Sequence, residues 1–132
     1  MKKTAMTQKK LNLIVAKHAL WLADPSKGHQ ADFWGTDCRG LNFHDANLRK
    51  ADFRHADLRE ADFRYAYLYD ADLRWADLRE ADFLWTDLRE ADFRWADCRE
   101  ANFRWTDCRE TNFLGTNLCN ADFVNTRGVL FG

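Results

Sequence analysis

From Ala31 to Asn125 the chain repeats one pattern: a small residue, a polar residue, a large apolar residue, then two polar or aromatic ones. Written from Ala31 the words read ADFWG, TDCRG, LNFHD, ANLRK, ADFRH, ADLRE and so on to ADFVN, nineteen words over 95 residues without an insertion. An α-helix advances about 100° per residue, so a period of five drifts roughly 140° per word and keeps no apolar stripe on one face. Within a word, as in Ala51-Asp52-Phe53, the first and third side chains share one side, which is the period of a strand. Each word therefore predicts a very short strand followed by a two-residue corner, and the repetition winds the chain into a solenoid.

The large inward residue alternates Phe with Leu or Cys, as in Phe33, Cys38, Phe43, Leu48, Phe53, Leu58, Phe63 and Leu68. Stacked coils place like over like only if a coil holds a multiple of ten residues, and ten residues enclose too little space for a Phe. Twenty residues, four words to a coil, is the smallest workable choice. It predicts two facing ladders, Phe33/Phe53/Phe93/Phe113 with Leu73 interrupting, and Phe43/Phe63/Phe83/Phe103/Phe123.

The ends of such a coil need covering, because unpaired strand edges invite association. Leu11, Ile14, Val15, His18, Trp21 and Leu22 fall on one side of a helix that Asp24-Pro25 stops, and this helix is expected over the first coil. Three segments follow: residues 1–30 as capping helix and linker, 31–125 as the repeat body, 126–132 as the C-terminal end. Gly128 stands where a core residue is due, so the regular coil is expected to end near Asn125. Val129, Leu130 and Phe131 then either fold over the last coil or bury against a second copy.

Composition fits one soluble domain: 132 residues, 46% hydrophobic and 31% charged. The stretch from Leu11 to Leu22 is interrupted by Asn12, Lys17 and His18, too short and polar for a membrane span and without a small-residue cleavage site. A cytoplasmic location and no membrane partner are the expectation. The formal charge of -1 hides an asymmetry. Residues 1–30 carry six Lys against Asp24 (+5), and residues 31–125 carry thirteen basic against twenty acidic residues (-7). Cys38, Cys98, Cys108 and Cys119 form no CxxC pair and no zinc spacing, and read as free thiols.

The outward positions also form ladders. Asp fills most second places, Arg the fourth, and the fifth alternates His55, Tyr65, Trp75, Trp85, Trp95, Trp105 with Glu60, Asp70, Glu80, Glu90, Glu100, Glu110. Carboxylates that recur in every coil beside Arg describe a salt-bridged wall rather than an acid/base pair, and the four histidines share no spacing. No enzymatic activity, cofactor or metal is expected. Large aromatics at corners of so polar a chain are interface candidates, against the alternative that they stiffen the rod by stacking on one another and on Arg. Tyr67 and Tyr69 in AYLYD break the repeat where no core need demands it, by recognition or by drift of a tolerant surface. A body at -7 would repel phosphate, so direct nucleic-acid binding by the repeats is not expected.

The tandem A(D/N)(L/F)xx words over residues 31–125 resemble the pentapeptide repeat family. The resemblance implies an all-β solenoid, a right-handed quadrilateral β-helix with four repeats per coil and about five coils here. The leader, with His18 and Trp21-Leu22, is similar to the N-terminal capping α-helix of many members, and the family also supports a homodimer through the C-terminal end. Departures are Leu41 for the small residue, Tyr67 for Asp/Asn, and Gly128. Regularly spaced carboxylates on a rigid rod, Asp77, Asp82, Asp87 and Asp97 among them, place first the reading that members which shield type II topoisomerases suggest: a DNA-mimicking inhibitor of a nucleic-acid-binding enzyme, such a topoisomerase or a phage-defence target. The other reading is a protein-protein scaffold docking through Tyr65, Tyr67, Tyr69, Trp75, Trp85, Trp95 and Trp105. Salt separates the two, since mimicry weakens steeply with ionic strength and aromatic docking survives it.

Overall fold

The computed structural model describes residues 5–129. One helix, α1 (Gln8–Ala23), precedes the repeats. Thr7 caps it, its hydroxyl accepting the Lys10 N–H at 3.2 Å. Asp24, held extended before Pro25, ends it. The chain then turns back along the helix through Gly28 at φ +63°, where a Cβ would stand 2.2 Å from the Lys17 carbonyl, so only glycine fits the reversal.

From Asp32 onward the second residue of each word forms a parallel bridge with the residue twenty positions on, from Asp32–Asp52 to Asp107–Arg127. Each pairing is a single bridge rather than a strand of a sheet, because the corner arrives after three residues. The pairing runs two residues past the nineteenth word, to Arg127, whose carbonyl accepts the Cys108 N–H at 2.7 Å.

The inward residues make one column of core. Phe43, Phe63, Phe83 and Phe103 stack face to face with centroids 4.6, 5.0 and 4.9 Å apart. The second ladder meets the first edge-on, as Phe43 does Phe53 at 5.6 Å. This is the offset a ring quadrupole favours. Ala at the first position leaves room for the rings, and where Thr replaces it the hydroxyl finds a carbonyl: Thr86 donates to Phe63 O at 2.6 Å. Cys38, Cys98 and Cys108 are buried free thiols and Cys119 is exposed. Burial pushes the Cys38 and Cys108 thiols up to about 11, which makes them inert packing groups.

The two ends differ. Leu11 and His18 of α1 are buried on the first coil, with Ile14 and Val15 packed beside them. At the other end Phe113, Leu118, Phe123 and Val129 are only partly buried, packed against the core. Leu130 and Phe131, two of the three residues expected at a dimer contact, lie outside the described residues.

Candidate functional site

The corner turns decide what the rod displays. Each is closed by the third residue's carbonyl, as Leu73 O accepts Ala76 N–H at 3.2 Å. The fifth residue sits in left-handed backbone, at φ 63° for Trp75, 61° for Glu80 and 58° for Trp85. Positive φ at that place is the type II turn requirement, ordinarily met by Gly or Asn. Near the two ends of the rod the chain meets it so, with Gly35, Gly40, Gly115, Asn120 and Asn125. Between them stand Lys, His, Tyr, Trp, Glu and Asp, each strained there by roughly 1–2 kcal/mol.

Stacking every twenty residues sorts these corners into four columns that alternate around the coil. The first holds Trp34, His55, Trp75 and Trp95, with centroids 5.4, 6.2 and 5.8 Å apart. It ends on Gly115, where a Cβ would lie 2.2 Å from the Trp95 ring. The opposite column holds His44 on Tyr65 at 5.4 Å, then Trp85 on Trp105 at 5.0 Å and 9°. Where indoles meet face to face their edges stay outward, and the exposures of Trp75, Trp85, Trp95 and Trp105 run from 47 to 55%.

The other two columns are acidic: Glu60, Glu80, Glu100, and Asp70, Glu90, Glu110. Hydrogen bonds shared with Glu60 and Glu100 raise the Glu80 carboxyl above its ordinary value. Beside the second acidic column, Tyr69 hydrogen-bonds Glu90, which raises the phenol. The Arg89 guanidinium also lies 5.4 Å from the Tyr69 ring.

The acids at second positions have a different job. Asp57 Oδ1 accepts the backbone N–H of Arg59 at 3.4 Å, and both its oxygens take the guanidinium, at 2.9 and 2.7 Å. That arrangement combines a turn-closing Asp with a bidentate pair. It recurs for Asp77 with Arg79, Asp87 with Arg89 and Asp97 with Arg99. Asp82 has Leu84 in place of Arg; it accepts Asn102 Nδ2 at 3.0 Å and faces Arg64 Nε at 4.0 Å. Several Arg also reach the next coil, as Arg59 Nε does Asp77 at 3.7 Å. The guanidinium on Asp97 holds that carboxyl below the usual carboxylate range, against the opposing effect of burial.

The expected site residues thus fall apart into groups. Trp75 and Trp95 share one corner, and Tyr65, Trp85 and Trp105 the opposite one. Tyr67 lies 52% exposed on the side after them, and Tyr69 is engaged by Arg89 and Glu90. The acids Asp77, Asp87 and Asp97 are each closed by an arginine, and Val129 sits at the far end. Trp34 and His44, upper rungs of the aromatic columns, escaped the sequence reading because they occupy fourth places in their words. Among the described residues no group of His, Cys, Asp and Glu could hold a metal ion, and no helix is long and apolar enough to cross a membrane.

Comparison with curated proteins gave no match. Among solved structures, a pentapeptide repeat protein (Rfr23) from the cyanobacterium Cyanothece 51142 is 21% identical, over 80% of this chain and 69% of that one, TM-score 0.44. A pentapeptide repeat protein from the Arabidopsis thaliana thylakoid lumen is 34% identical, over 68% of this chain and 66% of that one, TM-score 0.40. A trypsin-treated form of QnrB1, a plasmid-mediated fluoroquinolone resistance protein, is 20% identical, over 76% of this chain and 59% of that one, TM-score 0.47. The family model described as pentapeptide repeats matches eight copies, over residues 29–64, 56–94 and 96–127. With most of its length accounted for by that repeat, the chain belongs to the pentapeptide repeat family.

Proposed function

We propose that this is a non-enzymatic binding protein that docks a protein partner through its aromatic corner columns, Trp75 with Trp95 and Tyr65 with Trp85 and Trp105. One observation carries the reading: the rings stack into exposed columns, Trp75 on Trp95 at 5.8 Å and Trp85 on Trp105 at 5.0 Å. No interior packing demands them there, since each is about half exposed. Stacked indoles on a stiff coil also offer amphipathic area with little ordering left to lose on binding, the quality of interface anchors. Tyr67 extends the surface of the second column.

A second reading, a DNA-mimicking inhibitor of a nucleic-acid-binding enzyme such as a type II topoisomerase or a phage-defence target, rests on the acidic columns. It shifts weight from Asp77, Asp82, Asp87 and Asp97, which the wall holds through Arg or Asn, to Glu60, Glu80 and Glu100. In either reading the rod is taken as a right-handed quadrilateral β-helix of about five coils, supported by bridges at twenty-residue spacing and a turn every five residues. A cytoplasmic location belongs to the proposal too. So does a homodimer through the C-terminal end, where Phe113, Leu118 and Phe123 are incompletely covered. A monomer by light scattering at high concentration would remove the dimer.

The test is affinity capture of the tagged protein from bacterial lysate, at low and high salt and with and without excess duplex DNA. Partners that persist in salt, ignore the duplex and are lost on Trp85→Ala with Trp105→Ala support aromatic docking. A DNA-binding enzyme displaced by duplex and salt, and lost on Glu60, Glu80 and Glu100→Gln, replaces it with mimicry.

A further inference from the structure

The first coil has no coil before it, and the leader fills the gap with side chains. In the body the fourth residue's carbonyl accepts the fifth residue's N–H from the preceding coil, as Tyr69 O accepts Lys50 N–H at 2.9 Å. Arg49 O lacks such a neighbour, and His18 Nε2 stands 2.8 Å from it instead. On the other side of the ring, His18 Nδ1 accepts the Ala31 N–H at 2.8 Å. A carbonyl can only accept and an amide N–H can only donate, so the site is built for one form of the side chain, the neutral imidazole with its proton on Nε2.

We infer that His18 is a proton-sensitive latch: a proton taken up at Nδ1 sets N–H against the Ala31 N–H and releases α1 from the first coil. The imidazolium has two donors and no acceptor, so the contact with Ala31 turns from a hydrogen bond into an opposition of donors. The surroundings do not offset this. Trp21 of α1 stacks on the ring at 5.5 Å, and the neighbouring Lys17 is exposed. From the coil, Arg49 is the one charge that acts on the ring; Lys50 meets the leader through its carbonyl, His29 is exposed, and Asp52, Asp70 and Asp72, which line the groove beside Trp21, are not among the groups that shift His18. Burial foremost, and then the Arg49 charge, lower the His18 pKa from the ordinary 6.5, against a raising hydrogen bond to Arg49.

The sign follows from linkage. The released helix binds the proton more readily than the docked one, so docking is complete above the ordinary histidine value and weakens as pH falls from there through the depressed docked value. Release would take the rest of the cap with it: the Gln8 side chain on Asn42, and the Met6 N–H from Asp37 O at 2.7 Å. The uncovered rung is an edge with unpaired backbone groups.

Isotope-labelled full-length protein, followed by NMR from pH 7.5 to 5, tests the latch. The expected result is an Nε2–H tautomer at neutral pH, a His18 pKa below 6.5, and an Ala31 amide signal that follows the same midpoint. Protection of that amide from exchange, corrected for the intrinsic pH dependence, should fall about tenfold for each unit separating the docked and free values. The Phe83 amide in the body should hold its protection. His18→Gln keeps a donor and an acceptor without a titrating proton, and its Ala31 protection should stay level. An Nδ1–H tautomer, a pKa at or above 6.5, a level Ala31 curve in the native protein, or an equal fall in His18→Gln each overturns the latch. If that variant does not fold, the shared or separate midpoints of His18 and Ala31 in the native protein decide.

Discussion

The side-chain amide of Gln8 and the backbone of Asn42 exchange a pair of hydrogen bonds: Nε2 donates to Asn42 O at 2.8 Å, and Oε1 accepts Asn42 N–H at 2.9 Å. A primary amide carries the donor and acceptor of a peptide group, so Gln8 stands in for the missing rung above Asn42. Gln30, donating to Lys50 O at 2.6 Å, adds a further contact to the same coil. The coil is thus closed at its start by a helix that presents peptide-like side chains.

Gln8→Leu keeps the side chain's size and removes both bonds. It should lower stability by about 0.5–1.5 kcal/mol, the net range of an ordinary hydrogen bond, because Asn42 is exposed and water can take the vacated groups. Chemical denaturation reads the loss, and exchange at the Asn42 amide locates it. Full protection at Asn42 would mean that the amide is not what holds this rung.

Gly115→Ala should destabilise by two routes, because the position has φ +71° and the new methyl group would meet the Trp95 ring. Trp95→Ala opens the space. In a double-mutant cycle the alanine at 115 should therefore cost less once Trp95 is gone, with the remainder reporting backbone strain. Additive effects would show that the ring moves aside freely.

Stability should fall on acidification. The carboxyls of Asp57, Asp62, Asp97 and Asp107 lie below their ordinary range, held there chiefly by hydrogen bonds from Arg59, Arg64, Arg99 and Arg109. Groups depressed in the folded state contribute stability that is present above the unfolded carboxylate pKa and lost as pH falls through the folded value. Thermal unfolding between pH 7 and 2 should show that decline, shallower in Asp97→Asn.

Glu80 has the opposite sign. Its pKa is raised by sharing hydrogen bonds with Glu60 and Glu100, so its contribution is present in acid and lost as pH rises through the folded value. Glu80→Gln should raise the melting temperature at pH 7, and the gain should shrink toward acid. A gain independent of pH would point away from the carboxylate ladder.

Phe83 stacks between Phe63 and Phe103 at 5.0 and 4.9 Å and is fully buried. Phe83→Ala should cost about 3–5 kcal/mol. In a one-dimensional array the damage should concentrate in adjoining coils, with the Ala31 and Asn42 amides least affected. An unchanged denaturation midpoint would contradict the stacking.

The period of five, the Phe/Leu alternation and the inward Ala were enough to place Phe83 beneath Phe63, because short strands leave each side chain only two directions and like must stack on like. The aromatic columns through Trp75/Trp95 and Trp85/Trp105 were legible for the same reason. Their upper rungs were not: Trp34 and His44 precede a residue of positive φ and reach the column from one place earlier.

The pairing of Asp77 and Asp97 is set by the fold and not by the order of residues. A ladder of Asp at second positions reads as charge on offer, and its regularity says nothing about which way the neighbouring Arg turns. Only the folded coil closes Arg79 and Arg99 bidentately on the acids two residues before them, leaving the acidic corners outside that wall. Gln8, His18 and Gln30 lay in a leader whose helix pattern was plain, but their partners Asn42, Arg49 and Lys50 are 20 to 34 residues away. Repetition is local and survives in a string of letters. Which donor meets which acceptor across coils depends on contacts that exist only once the chain has wound, and those contacts decided the capped end, the neutralised wall and the imidazole between two backbone groups.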